Sequence, residues 1–190
     1  MITPKVSGSK IVFGPVRLSY VHLFKPWAGQ DVSEDQAKYQ CCCLIPKNEK
    51  ETIAAINKCV EEAKKAGVQS KWNGKLPKKL ALPVQDGDER EDPAEFEDHL
   101  YINAKCKTRP GVIDRFKQPI MDEEEMYSGV WAYVAVRFYP YLASGNAGVA
   151  AGLDNVMKFK DDDHLGGRRL RRCGRRHERG RHVILKKLKN

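Results

Sequence analysis

Along much of this chain apolar residues recur at every second position, the period of a strand buried on one face. The longest run spans residues 130–141. Val130, Ala132, Val134, Val136 and Phe138 fall on one side, and Trp131, Tyr133, Ala135, Arg137 and Tyr139 on the other. Residues 99–107 repeat the pattern, with Leu100, Ile102, Ala104 and Cys106 inward. His99, Tyr101, Asn103, Lys105 and Lys107 point outward, and Arg109 follows. Further strands are expected over residues 10–24, broken by Gly14-Pro15, over 39–45, ended by Pro46, and over 156–159. The helical period appears clearly over residues 48–66, where Ile53, Ile56, Val60 and Ala63 share a face. Asn48 and Glu51 stand as a capping box there, and Gly67 as the stop. A helical turn is expected over 121–127.

The stretches between these elements read as turns and loops. They are a turn at 24–29, a polar loop at 30–37, a basic loop at 71–79 around Trp72 and Gly74, and an acidic loop at 86–98. A turn follows at Pro110-Gly111, and a glycine-rich turn at 144–152. Short strands separated by turns predict a mainly β protein with one or two helices. An OB-fold-like five-stranded barrel with long loops fits. A chain of 190 residues has length enough for one such domain. We place it at residues 1–165, followed by a basic tail over 166–190 that is expected to be disordered.

Charge sharpens that division. The formal net charge is +9, but residues 1–165 hold 23 Lys and Arg against 24 Asp and Glu, a net −1. Residues 166–190 carry 11 basic residues and one Glu, so the excess lies in the tail. Within the body, residues 1–85 are +7 and residues 86–125 are −7. A positive face opposite an acidic flank can track a phosphate backbone. No apolar run reaches the length of a membrane span, and the first residues lack the apolar core of a secretory signal. A reducing, cytoplasmic compartment is therefore expected. Six cysteines without a CxxC pair, three of them adjacent at Cys41, Cys42 and Cys43, read as buried thiols rather than metal ligands.

The second face of residues 130–141 combines rings with a cation, the chemistry that a single-stranded nucleic acid needs: bases stack on aromatic rings while cations hold phosphates. Trp131, Tyr133, Arg137 and Tyr139 are candidates for a central platform, Tyr133 being the ring best suited to packing. Tyr101, Lys105, Lys107 and Arg109 would sit on a neighbouring strand. Lys71, Trp72, Lys78 and Lys79 would form a mobile clamp. A sheet covered on both sides would carry the same rings.

Several segments, in order, resemble a known family: PVRLSYVHLFKP (15–26), CLIPK (43–47), IAAINKCVEEAKKAG (53–67), LPVQDGD (82–88), YINAKCKTRPGVID (101–114), YSGVWAYVAVRFYPY (127–141) and GVAAGLDNVMKF (148–159), running into LGGR (165–168). These look like the bacteriophage-encoded single-stranded DNA-binding proteins, long catalogued as a domain of unknown function. The resemblance implies an OB-fold, no catalytic residues and no cofactor. It also implies protection of single strands during phage DNA replication, recombination and repair in the bacterial host cytoplasm. Candidate protein partners are a phage DNA polymerase, helicase or recombinase. Such proteins usually end in an acidic, flexible tail, from which this Arg-rich end departs. A shifted reading frame near residues 168–170 would account for it, since CGN arginine codons read one base later encode Asp, Ala, Gly, Val or Glu. Sequencing of the encoding DNA tests this.

Three other classes were weighed. A Mg²⁺-dependent nuclease would use Asp86, Asp88, Glu89 and Asp92, with Glu62 and Lys64 in an E-x-K spacing, but that triplet lies on the solvated side of the helix. A phage structural or assembly protein would share the barrel without the DNA affinity. Gly145, Gly148 and Gly152 lack the Gly-Lys-Ser/Thr ending of a phosphate loop.

Overall fold

The alternation over residues 130–138 becomes burial in the computed structural model, which describes residues 3–29, 33–90 and 94–166. Ala132, Val134, Val136 and Phe138 are at most 1% exposed, on strand β7 (Trp131–Ala143). The other strands are β1 (Lys5–Ser7), β2 (Lys10–Trp27), β3 (Lys38–Pro46), β4 (Val84–Asp86), β5 (His99–Cys106), β6 (Gly111–Ile113) and β8 (Asn146–Lys160). Antiparallel pairing runs β5–β3–β2–β7–β8, and a short parallel contact of β8 with β5, Ala104 opposite Ala151, closes the ring. This is a closed five-stranded OB barrel with one α-helix. Its interior holds Ile11, Phe13 and Leu18 of β2, Cys41, Cys43 and Ile45 of β3, Ile102 and Ala104 of β5, and Val149, Leu153 and Val156 of β8.

Two strands run further than their sequences suggested. β2 continues through the expected turn to Trp27, with register shifts after Phe13 and Ser19 absorbing the Gly14-Pro15 break and the positive φ of Tyr20. The glycine-rich stretch at 144–152 is not a turn beyond Ser144 and Gly145; the rest is β8. There a glycine is required by what lies over it. A Cβ on Gly148 would come within 2.6 Å of the Tyr141 ring, and one on Gly152 within 3.2 Å of the Tyr139 ring. The glycines are seats for tyrosines of the paired strand.

Helix α1 (Lys50–Ser70) packs Ile56, Cys59, Val60, Ala63 and Gly67 against the barrel, while Ile53 is only half-buried. The expected capping box does not form. Asn48 lies in a tight turn whose carbonyl accepts from Lys50 N–H, and Glu49 precedes the helix without a side-chain cap. Nor does Gly67 end the helix. Its missing side chain makes room for the Trp72 ring, whose carbons a Cβ would approach to 2.6 Å, and its carbonyl accepts the N–H groups of Lys71 and Trp72 at 2.9 Å.

The acidic loop is a lid on the outside of the barrel. Lys47 pairs with Asp86 and Asp88, and Asp88 accepts the Asp98 N–H at 2.7 Å. These contacts fold Phe96 onto Cys42, Leu44 and Tyr101 in a second small core. Two of the candidate metal-binding carboxylates, Asp86 and Asp88, are thus engaged in holding the lid, and Asp92 lies outside the described residues. Among the described residues no group of three or more His, Cys, Asp or Glu side chains is placed to hold a metal ion. No helix of the described residues is long and apolar enough to cross a membrane. The tail over 167–190, and with it the reading-frame question, lies outside the described residues.

Candidate nucleic-acid interface

Residues paired across neighbouring strands share a face of the sheet. One such row crosses the outside of the barrel. His22 of β2 pairs with Gln40 of β3, Gln40 with Lys105 of β5, Lys105 with Gly152 of β8, and Gly152 with Arg137 of β7. The outer face of the second and third barrel strands is where OB-folds take oligonucleotides. In this barrel those strands are β3 and β5.

The Lys105–Gly152–Arg137 stretch of the row lies in a valley. Two adjoining clefts, of about 260 and 390 Å³, are lined by Lys105, Lys107, Arg109, Arg137, Tyr139 and Asp154 among others. Tyr139 is 45% exposed, its ring seated over Gly152. Arg137 Nη2 donates to Asp154 Oδ1 at 2.6 Å, which raises the already high pKa of the guanidinium. The structure thus brings together five of the expected residues: Lys105, Lys107, Arg109, Arg137 and Tyr139. Strand β8 runs between the two sets, and its glycine at 152 keeps the floor low between them.

At the far side of the row stands a pair that the pattern of residues did not single out. Trp27, 46% exposed, stacks on His22 with ring centroids 5.4 Å apart and planes 16° apart. Burial holds the His22 pKa below its ordinary value, against an opposing pull from Glu123, and so favours the uncharged ring. Arg109 lies 4.7 Å from the Phe24 ring centroid beside them. Gln40 joins the row from β3. A turn assigned to residues 24–29 hid Trp27. The spacing His22, Phe24, Lys25, Trp27, rings interleaved with a cation, was the available signal.

Other expected residues are elsewhere or sealed. Trp72 is not a mobile clamp: it is 5% exposed in the main core, and its indole N–H donates to the Tyr141 carbonyl at 3.1 Å. Tyr101 is 8% exposed because the lid covers it, with Phe96 edge-on at 5.1 Å and Arg90 over the ring at 5.2 Å. Tyr133 is 8% exposed beneath Phe159, edge-on at 5.7 Å. Trp131 is half-buried and lies eight residues from Tyr139 along β7, roughly 26 Å of strand, so the four residues expected as one platform form two patches. Lys71, Lys78 and Lys79 surround a separate pocket of about 580 Å³ at the β7–β8 hairpin, with Leu76 and Leu142 in its wall. Among the described residues Cys41, Cys42, Cys43 and Cys59 are buried: burial pushes Cys42 up to about 12, and half-buried Cys106 is pushed up to about 11.

Comparison with known proteins meets this geometry. The family described as "Enterobacter phage Enc34, ssDNA-binding protein" matches residues 9–173. A protein named "Putative protein p50" from Acyrthosiphon pisum secondary endosymbiont phage 1 is 32% identical, over 83% of this chain and 87% of its own. Among solved structures, the single-stranded DNA-binding protein of bacteriophage Enc34 in complex with ssDNA superposes with a TM-score of 0.72 at 32% identity, covering 85% of this chain and 96% of that one. The single-stranded DNA-binding protein encoded by bacteriophage T7, at 18% identity and a TM-score of 0.61 over 83% of this chain and 94% of its own, shares the fold.

Proposed function

This chain belongs to the family of the Enterobacter phage Enc34 ssDNA-binding protein, and on that premise we propose that it binds single-stranded DNA along the His22–Gln40–Lys105–Gly152–Arg137 row. The observation that carries the reading is that one register line runs from His22, which stacks on exposed Trp27, through Lys105 to Arg137, two positions along β7 from exposed Tyr139. Bases stack on Tyr139 and on the Trp27–His22 pair, each stacked base contributing about 1–3 kcal/mol. Phosphates pair with Lys105, Lys107 and Arg109, beside Arg137, which Asp154 holds at 2.6 Å. Rings accept any base and the cations see only the backbone, so the binding is sequence-tolerant. The role that follows is to coat and protect exposed strands in the host cytoplasm during phage DNA replication, recombination and repair. A phage polymerase, helicase or recombinase would be the protein partner. No cofactor and no enzymatic step belong to this reading.

The test is a fluorescence titration of the full chain with oligo-dT and with a duplex, at two salt concentrations, repeated on a Tyr139→Ala, Lys105→Ala double variant. Tight oligo-dT binding that the double variant weakens supports the site. Affinity unchanged in a folded double variant rejects it.

A further inference from the structure

The basic pocket at the β7–β8 hairpin has the wrong chemistry for stacked bases. Lys71, Lys75, Lys78 and Lys79 surround it, yet the apolar groups exposed in its wall are aliphatic: Leu76 at 57% and Leu142 at 53%. Trp72 faces the core, and the Tyr141 ring lies over Gly148. Cations around exposed leucines fit an acidic segment with an apolar anchor. Among the described residues no acid pairs with any of these four lysines.

The other end of the molecule carries such a segment. Met121 is 75% exposed, and Asp122, Glu123, Glu124 and Glu125 follow it, three of them in a single turn of 3-10 helix. Glu123 pairs with Lys25, whereas Glu124 and Glu125 meet no cation among the described residues. Within one copy the two features cannot meet. The pocket adjoins Ala147, and the acidic turn follows Ile120, which hydrogen-bonds Val112 opposite Val156. Nine residues of β8 separate those positions, roughly 30 Å of strand. Two different complementary patches at opposite ends make a head-to-tail contact, which one copy can pass on to the next.

We propose that successive copies on one DNA strand dock in this way, Met121 of one copy seated between Leu76 and Leu142 of the next and Glu124 and Glu125 among its lysines. The contact rests on the single-strand reading for its setting, although it is made between chains.

The test compares full-length protein on dT of about 12 nucleotides, within the range that one OB barrel covers, and of about 70. Glu124→Lys with Glu125→Lys should lower affinity for the long strand about tenfold and leave the short one unchanged, because like charges then face each other across the contact. Lys75→Glu with Lys78→Glu should do the same, and the four changes together should restore the long-strand affinity. A long-to-short ratio that the glutamate reversal does not move overturns the proposal. So does a lysine reversal that weakens short and long strands alike, since the loop would then be holding phosphates. Should the wild type bind no short strand, the function reading fails by itself, and the contact is read without DNA. Oxidation of a Leu76→Cys, Met121→Cys variant at high concentration then gives a disulfide ladder that neither single variant gives, and no ladder overturns the contact.

Discussion

The two ends of the outer face of β7 differ only in what lies over them. At one end the Trp131 indole N–H donates to Asp162 at 2.6 Å, which holds that carboxyl below its ordinary pKa, and Lys160 sits 5.1 Å over the ring. Phe159 closes over Tyr133. The chain after β8 is pinned there as well, with Arg17 donating to the Asp163 carbonyl at 2.8 Å and Leu165 N–H to the Ser128 carbonyl at 2.7 Å. At the other end the Tyr139 ring stands over Gly152 beside Arg137, and no segment of the described residues folds across them. The alternation is the same at both. A period of two assigns a residue to a face; segments distant in sequence decide whether that face is open.

The largest effects should come from the rings that are sealed. Trp72→Ala removes a buried ring from between α1 and β7, and Tyr133→Ala one from beneath Phe159. Each should lower unfolding stability by about 3–5 kcal/mol in a urea titration, the range for truncating a core aromatic. A Trp72→Ala protein with unchanged stability and lost oligo-dT affinity would restore the clamp and break the comparison.

Next come the two exposed ends. Tyr139→Ala should weaken oligo-dT binding by about 1–3 kcal/mol, or about 5- to 150-fold, with little change in stability. Trp131→Ala should change affinity by less than about threefold, since one face of its ring is occupied by Lys160 and its N–H by Asp162. Equal losses at both ends would mean that the DNA runs the length of β7.

Much of this was legible beforehand. The barrel class, the inward set of β7 and the cations of β5 follow from alternation, because both faces of a strand are written into one local period. Lys105, Lys107, Arg109, Arg137 and Tyr139 were chosen on that basis and lie in one valley. What was not legible depended on contacts between distant segments. Gly67 reads as a helix stop until Trp72 is seen against it, and Gly148 and Gly152 read as a turn until Tyr141 and Tyr139 are seen above them. Tyr101 reads as outward, and it is, but the lid carrying Phe96 lies outside it. Trp27 was hidden because a Pro-Trp-Ala-Gly string signals a turn locally, whereas pairing with β3 as far as Lys38 keeps it extended.

Salt dependence tests the open end more finely. Each phosphate neutralised by a cation contributes about −0.7 to the slope of log affinity against log salt for single strands. Lys105→Ala should flatten that slope by about 0.7. Lys160→Ala, at the covered end, should leave it unchanged.

The remaining expected effect is a gain. Asp154 is the carboxylate among the residues lining the valley, and it holds Arg137 at 2.6 Å. The arginine side chain is 51% exposed and the aspartate 24%, so the pair stabilises the fold by less than about 1 kcal/mol. Its effect on a polyanion is larger in kind: it occupies a cation and repels the phosphate that the cation would otherwise hold. Asp154→Asn keeps the shape and hydrogen-bonding capacity while removing the charge. Oligo-dT affinity should rise by about two- to tenfold at low salt, with a slope steeper by about 0.7 as Arg137 takes up a phosphate. The unfolding midpoint should barely move. Combined with Arg137→Ala, the change should lose its added slope, because the freed cation is then absent. A gain in affinity that survives Arg137→Ala in full would trace to the general field of the valley and not to this pair, and the open end would be defined by its shape and its tyrosine alone.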